Sequence, residues 1–207
     1  MDFAAPIQAL VPGAQGRILA VLAGTTAELN LRTIARLSGV SLAQASRVMP
    51  GLVDLGIVAR RDVPPAALFR LVPDHVAARP LLELARARTT VLNQLGRSAG
   101  RLAPPPASVV VYGSLARGDS RPDSDIDILV VRPRNVSDDD NRWHDDLETW
   151  RQQAQQLTGN RTGVLEVDER EVPRLLRSRR PLWADIRRDG IVVSGRTLDE
   201  LAGRRSA

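Results

Sequence analysis

The chain has 207 residues, too many for one minimal domain and enough for two small ones. Hydrophobic residues make up 43% and aromatics only 3%, so a packed core is affordable but Leu, Val, Ile and Ala must fill it. The formal charge is +5, which favours polyanionic partners, and all 29 basic residues are arginine, which suits phosphate but for which codon bias is the readier cause. Cysteine is absent, which excludes disulfides, Cys-ligated zinc and thiol catalysis.

The opening stretch, residues 1–16, has neither a basic n-region nor a long apolar segment, and no later apolar run approaches the ~20 residues of a membrane span. The expectation is a cytoplasmic protein that does not enter the membrane. Residues 14–72 read as a helical module with a hairpin. Ile18, Leu19 and Leu22 mark a first helix ending near Gly24. Asn30 can cap a second helix over 31–37, with Ile34 and Leu37 on its inner face. After the turn Ser38-Gly39-Val40, Ser41 can cap a third helix carrying Leu42, Ala45, Val48, Leu52 and Leu55, closed by Gly56. Pro50 falls inside that helix and is expected to kink or split it. Two short strands, 57–61 and 67–72, flank Pro64-Pro65.

The order helix, helix, turn, helix, hairpin resembles the winged helix-turn-helix of bacterial regulators. That resemblance implies DNA binding, with Ser41, Gln44 and Arg47 at the start of the recognition helix and Arg60 and Arg61 on the wing. Dimerisation or capture of a protein partner is the competing use of such a module.

Residues 80–99 read as one amphipathic helix through Leu81, Leu84, Val91, Leu92 and Leu95. Pro104-Pro105-Pro106 cannot continue a helix and marks a stiff joint. Strands and helices then alternate. Strands are expected at 108–112, 126–131, 161–167 and 191–193. Ser137 is expected to cap a helix whose first turn is Asp138–Asp140 and which runs to about Leu157. Short helices are expected at 169–177 and 181–188. Trp143, Trp150 and Trp183 read as core or domain-contact residues, and the tail after Thr197 as frayed.

The segment 109–131, VVVYGSLARGDSRPDSDIDILVV, carries the chemistry. An apolar strand stops at Gly113-Ser114. Glycine lets a phosphate approach the backbone, and Ser114 offers a hydroxyl and an amide at the start of a helical turn. Asp125 and Asp127 are two apart, so their carboxylates share one side while Ile126 and Ile128 face the core. Two such carboxylates repel unless a cation lies between them, and Mg²⁺ with triphosphate oxygens is the obvious one.

This G-S-x10-D-x-D pattern closely resembles the minimal nucleotidyltransferases of the DNA polymerase β-like superfamily. The resemblance covers about residues 107–195. It implies that Gly113 and Ser114 hold the triphosphate of an NTP, with Arg117 a weaker phosphate contact, and that Asp125 and Asp127 bind Mg²⁺. A third carboxylate on a neighbouring strand is usual in the family. Glu166 and Asp168 are the candidates, with Glu166 preferred as metal ligand or general base, a departure from the more usual Asp. Asp168 is also placed to cap the following helix.

The expectation is thus an α+β protein. Residues 1–79 form a winged helix-turn-helix domain and 80–106 a connector helix and Pro-rich joint. Residues 107–207 form a polymerase β-like nucleotidyltransferase, a mixed sheet flanked by helices. The implied function is Mg²⁺-dependent transfer of NMP, AMP from ATP first, to a protein or nucleic-acid acceptor. A partner toxin is one candidate acceptor, and a homodimer is left open. The alternative is a DNA-binding regulator whose transferase domain only senses nucleotide.

Overall fold

The computed structural model describes residues 1–203. The chain divides into two compact units, one of Asp2 and residues 4–87, the other of Met1, Phe3 and Arg88 onward. The division falls within the stretch 80–106 assigned to a connector. Among the described residues no helix is long and apolar enough to cross a membrane.

The first unit contains α1 (Pro6–Leu10), α2 (Gly13–Ala23), β1 (Leu29–Asn30), α3 (Leu31–Ser38), α4 (Leu42–Asp54), β2 (Val58–Val63), β3 (Ala66–Leu71) and α5 (Ala78–Ala85). Its strands form an antiparallel sheet in the order β1-β3-β2. Asn30 caps α3 by accepting from the Thr33 amide at 2.9 Å, and Gly39 ends it in the left-handed region. Ile18, Leu22, Ile34, Ala45, Met49 and Leu52 meet in one core. Leu37 and Leu55, expected inside, are 52% and 67% exposed. The inward stripe of α4 is Ala45, Met49 and Leu52, a spacing of four and three that leaves Leu55 past the last buried turn.

α4 also runs unbroken through Pro50, against the expected kink. The proline leaves the Ser46 carbonyl without its i+4 donor. Both residues are exposed, so water can serve that carbonyl while the buried stripe holds the helix. The single helix expected over 80–99 is likewise two, α5 and α6 (Ala87–Ala99), separated at Arg86.

The second unit continues with β4 (Ser108–Tyr112), α7 (Gly113–Arg117), β5 (Ile126–Arg132), α8 (Asn141–Thr158) and β6 (Thr162–Asp168). A 3-10 turn, Glu169–Glu171, leads to α9 (Val172–Leu176), α10 (Pro181–Asp189), β7 (Ile191–Gly195) and α11 (Leu198–Leu201). The sheet order is β6-β5-β4-β7; β5 and β6 run parallel, the other pairs antiparallel.

One face, carrying Val110, Leu129 and Val131, packs against Val172, Trp183 and Ile186 of α9 and α10. On the other face α8 crosses over β6 and α6 approaches β7 so closely that a Cβ at Gly96 would lie 2.0 Å from the Val193 carbonyl oxygen. Trp150 links α8 to α6 by donating to Ser98 Oγ at 2.8 Å. All three tryptophans are buried, as core residues should be.

Asp140, not Ser137, caps α8 by accepting from the Trp143 amide at 3.1 Å. Asp138 is pulled away instead, to a 2.8 Å ion pair with Arg132. The tail expected to fray after Thr197 begins with α11, capped by Thr197 and Glu200 in a reciprocal box. The rest of that tail, 204–207, lies outside the described residues.

Candidate functional site

β4 ends at Tyr112, and the chain turns directly into α7. Gly113 makes that turn with a φ of 71°. A Cβ there would sit 2.6 Å from Asp127 Oδ2. Glycine is therefore required twice, for the left-handed backbone and for the room that lets the Asp127 carboxylate rest against the turn. Cross-strand pairing of Tyr112 with Asp127 fixes this approach. Ser114 is half-buried in the first turn of α7. At the helix's other end Gly118 is left-handed, and its amide donates to the Ser114 carbonyl at 2.9 Å.

Asp125 is exposed just before β5, and Asp127 is half-buried within it. Burial holds the Asp127 carboxyl above the usual carboxylate range, the Asp125 charge raises it further, and Arg117 opposes both. Burial and then the Asp127 charge push the Tyr112 hydroxyl up as well. Arg117 is shared between two carboxylates, Asp119 at 3.4 Å and Asp189 at 3.5 Å, which leaves it a weak fit to a dedicated phosphate contact. The loop leading to Asp125 is held by Asn160, which is 2% exposed. Its Nδ2 donates to the carbonyls of Arg121, Pro122 and Ser124 at 3.1, 3.3 and 3.0 Å. Nothing local marks Asn160, since an Asn after a helix-ending Gly159 looks like any loop residue.

Glu166 is not part of this site. The parallel register of β5 and β6 sets Asp127 beside Gly163 and Val130 beside Glu166. Paired residues of neighbouring strands share a face, and successive residues alternate. Asp127 therefore faces the side of Gly163 and Leu165, and a Cβ at Gly163 would meet Asp127 Oδ1 at 3.9 Å. Glu166 points to the opposite side, under α8, and accepts from Trp143 Nε1 at 3.0 Å.

Glu166 Oε1 also lies 2.8 Å from Nε of the buried Arg132, at an angle outside hydrogen-bond geometry, so the contact counts as a charge pair. Asp168 lies 3.8 Å from the same guanidinium and caps the 3-10 turn through the Arg170 amide at 2.7 Å. The preference for Glu166 as metal ligand or base fails on strand parity. The two positions of β6 that share the Asp127 face there, Gly163 and Leu165, carry no acid.

Among the described residues no group of three or more His, Cys, Asp or Glu side chains comes together to hold a metal. Asp125 and Asp127 still suit Mg²⁺, which commonly takes one or two carboxylates and completes its shell with water and substrate phosphate.

In the first unit, Ser41, Gln44, Arg47, Arg60 and Arg61 are all exposed. Ser41 and Gln44 are engaged with each other in a capping box, Ser41 Oγ accepting from the Gln44 amide at 3.1 Å and Gln44 Oε1 from the Ser41 amide at 3.2 Å. Arg47 donates back to its own helix at the Ala43 carbonyl, 3.3 Å away. Arg60 pairs with Asp62 at 2.8 Å, and Arg61 with Glu28. Being adjacent on a strand, Arg60 and Arg61 face opposite sides of the hairpin, so the wing does not offer them together. Between α4 and the wing runs a groove of about 760 Å³, with Met49, Pro50 and Phe69 on its walls and Arg32 and Arg60 as its cations. Arg32 had no local pattern to mark it.

Residues 92–178 match the family model of the nucleotidyltransferase domain, and residues 16–62 that of the IclR helix-turn-helix domain. The chain thus joins a helix-turn-helix domain to a nucleotidyltransferase domain, the fusion and the α+β class expected from its motifs. No curated protein and no solved structure matches it.

Proposed function

We propose that the second unit transfers the NMP of an NTP, with ATP the first candidate and Mg²⁺ as cofactor, to a macromolecular acceptor. The observation that supports this reading is the close approach of Gly113 to the Asp127 carboxylate, which brings the Gly113-Ser114 turn and the acidic pair together. In such a transfer the acceptor oxygen attacks the α-phosphorus, the bond from that phosphorus to the bridging oxygen breaks, and pyrophosphate leaves. Bound Mg²⁺ would supply the positive charge that offsets the charge developing on those oxygens. Asp125 and Asp127 would hold it. The Gly113 backbone and the Ser114 amide and hydroxyl would orient the phosphates. Full-length protein incubated with Mg²⁺ and α-labelled NTPs should label a nucleic-acid or protein acceptor, a partner toxin among those tried. The Asp125→Ala/Asp127→Ala variant should not. Absence of both metal-dependent nucleotide binding and transfer in the wild type would overturn the reading.

A second reading has its own support. With Gly163 and Leu165 where a third carboxylate would stand, the face has no acid on β6 to take the acceptor's proton. The unit would then bind Mg²⁺–NTP and sense it, while the helix-turn-helix domain binds DNA through the N-terminal turn of α4 and one face of the wing. Mg²⁺–ATP binding without turnover, together with DNA affinity that changes on adding it, would favour this reading. Unchanged DNA affinity would remove it.

A further inference from the structure

Arg88 is absorbed by neither the motif nor the family resemblance. It lies in the first turn of α6 and is half-buried. Its Nε donates to the Leu115 carbonyl at 2.7 Å, and its Nη2 to the Ala116 carbonyl. Both acceptors belong to α7, the five-residue helix that begins at Gly113. The other bonds at this end come from the Gly118 and Asp119 amides and reach Ser114 O at 2.9 and 3.1 Å and, from Gly118, Leu115 O at 3.3 Å.

A helix this short makes few bonds of its own and is not stable by itself. Leu115 and Ala116 are buried, which fixes one side of it. Along its axis the fixed charge of Arg88 sits at the carbonyl end, where a cation is favourable, and its planar fork grips two carbonyls at once. The guanidinium also stands 3.7 Å from where a Cβ of Gly118 would be, so the left-handed glycine closing α7 packs against it.

We propose that Arg88 is a positioning residue for nucleotide: it holds α7 in place and thereby sets where Gly113 and Ser114 present themselves to the triphosphate. The proposal rests on the reading of Gly113-Ser114 as the triphosphate turn. It assigns Arg88 no contact with substrate. A displacement of about 1 Å at a binding turn is enough to cost one to two orders of magnitude in affinity or rate.

The test uses the full chain in three forms: wild type, Arg88→Ala and Arg88→Lys. Amide hydrogen exchange without nucleotide reports the clamp directly. In Arg88→Ala the amides of residues 114–119 should exchange faster, with those of β4 and β5 unchanged. Binding of Mg²⁺–ATP and of AMP reports the consequence. Arg88→Ala should weaken Mg²⁺–ATP about tenfold or more and leave AMP within about twofold, because only the phosphate tail depends on the turn. Arg88→Lys keeps the charge but loses the fork, and should recover part of the loss.

Unchanged exchange in Arg88→Ala would overturn the clamp. Faster exchange with undiminished Mg²⁺–ATP affinity would reduce Arg88 to a strut and overturn the positioning role. Equal weakening of ATP and AMP would do the same. If Arg88→Ala does not fold, an Arg88→Lys with wild-type ATP-over-AMP preference and wild-type exchange overturns it equally. A wild type that binds no Mg²⁺–nucleotide, yet shows the exchange difference, would leave the clamp standing and refute the reading of the turn as a triphosphate site.

Discussion

Two acidic pairs of the same spacing lie on adjacent strands of one sheet and have opposite fates. Asp125 and Asp127 stand at the start of β5. Glu166 and Asp168 stand at the end of β6. The second pair meets its cation within the chain, because β5 ends on Arg132, which is 7% exposed and within 4 Å of both carboxylates. Among the described residues the cation acting on the first pair is Arg117, already divided between Asp119 and Asp189. Burial and, after it, mutual repulsion leave Asp127 with a raised proton affinity rather than a satisfied charge. An i, i+2 pair of acids thus says nothing about function until its counter-charge is found. Where the chain supplies one, the pair is architecture. Where it supplies none, the pair is the place at which we propose an external cation.

The largest expected effect follows from removing that place. Asp127→Ala should lower nucleotidyl transfer by about 10²–10³-fold or more and abolish Mg²⁺-dependent ATP binding, with no fall in melting temperature. Labelled-NTP transfer and calorimetry with and without Mg²⁺ check this. Loss of stability alongside activity would mean that Asp127 is structural too, and would blur the contrast between the pairs.

Gly113→Ala should act through the same carboxylate. The new Cβ would fall 2.6 Å from Asp127 Oδ2, and the side chain, being the freer partner, has to move. A left-handed alanine also costs about 1–2 kcal/mol. The variant should fold with a lowered melting temperature and bind Mg²⁺–ATP at least tenfold more weakly. Wild-type affinity would mean the turn and the acid pair do not act together.

Glu166→Ala sharpens the comparison from the other side. It should leave Mg²⁺–ATP affinity within about twofold, since its carboxylate faces away from Asp127 and three residues, about 10 Å, further along the strands. It should cost stability, about 1–3 kcal/mol, because buried Arg132 loses a partner while Asp138 and Asp168 remain. Denaturant melts alongside nucleotide titration separate the two. A selective loss of metal-dependent binding at unchanged stability would restore Glu166 to the active site.

The sequence alone carried the places of the strands other than β1, the Gly-Ser turn, the Asp125/Asp127 spacing and the caps at Asn30 and Ser41, because each is a local pattern read within a few residues. It misled on Glu166 for a nonlocal reason. Alternation places Glu166 and Asp168 on one face of β6, but only the register of β6 against β5 tells which face of the sheet that is, and a shift of one residue would have put Glu166 on the Asp127 face. Asn160 and Arg88 stayed invisible for the same cause, since each acts on carbonyls about 30 residues away or more. The local penalty at Pro50 is real, but the buried stripe of α4 outweighs one missing bond.

The smallest effect is also the one with the least intuitive sign. Asp127 has a folded-state pKa above its ordinary value, so the folded chain holds its proton more tightly than the unfolded chain does. Whatever stability the protonated form has is present below the unfolded pKa and is lost as pH rises from there through the folded pKa. At neutral pH the residue is therefore a burden on the metal-free fold. Asp127→Asn keeps the shape and removes the charge, so without Mg²⁺ at pH 7 it should melt slightly higher than wild type, by about 1–3 °C, and the gap should close at acid pH. Millimolar Mg²⁺ with ATP should raise the wild type and not the variant, reversing the order by mass action. A variant less stable than wild type without metal would show that the carboxylate is paired in the free protein, and the two acid pairs of the sheet would then be alike.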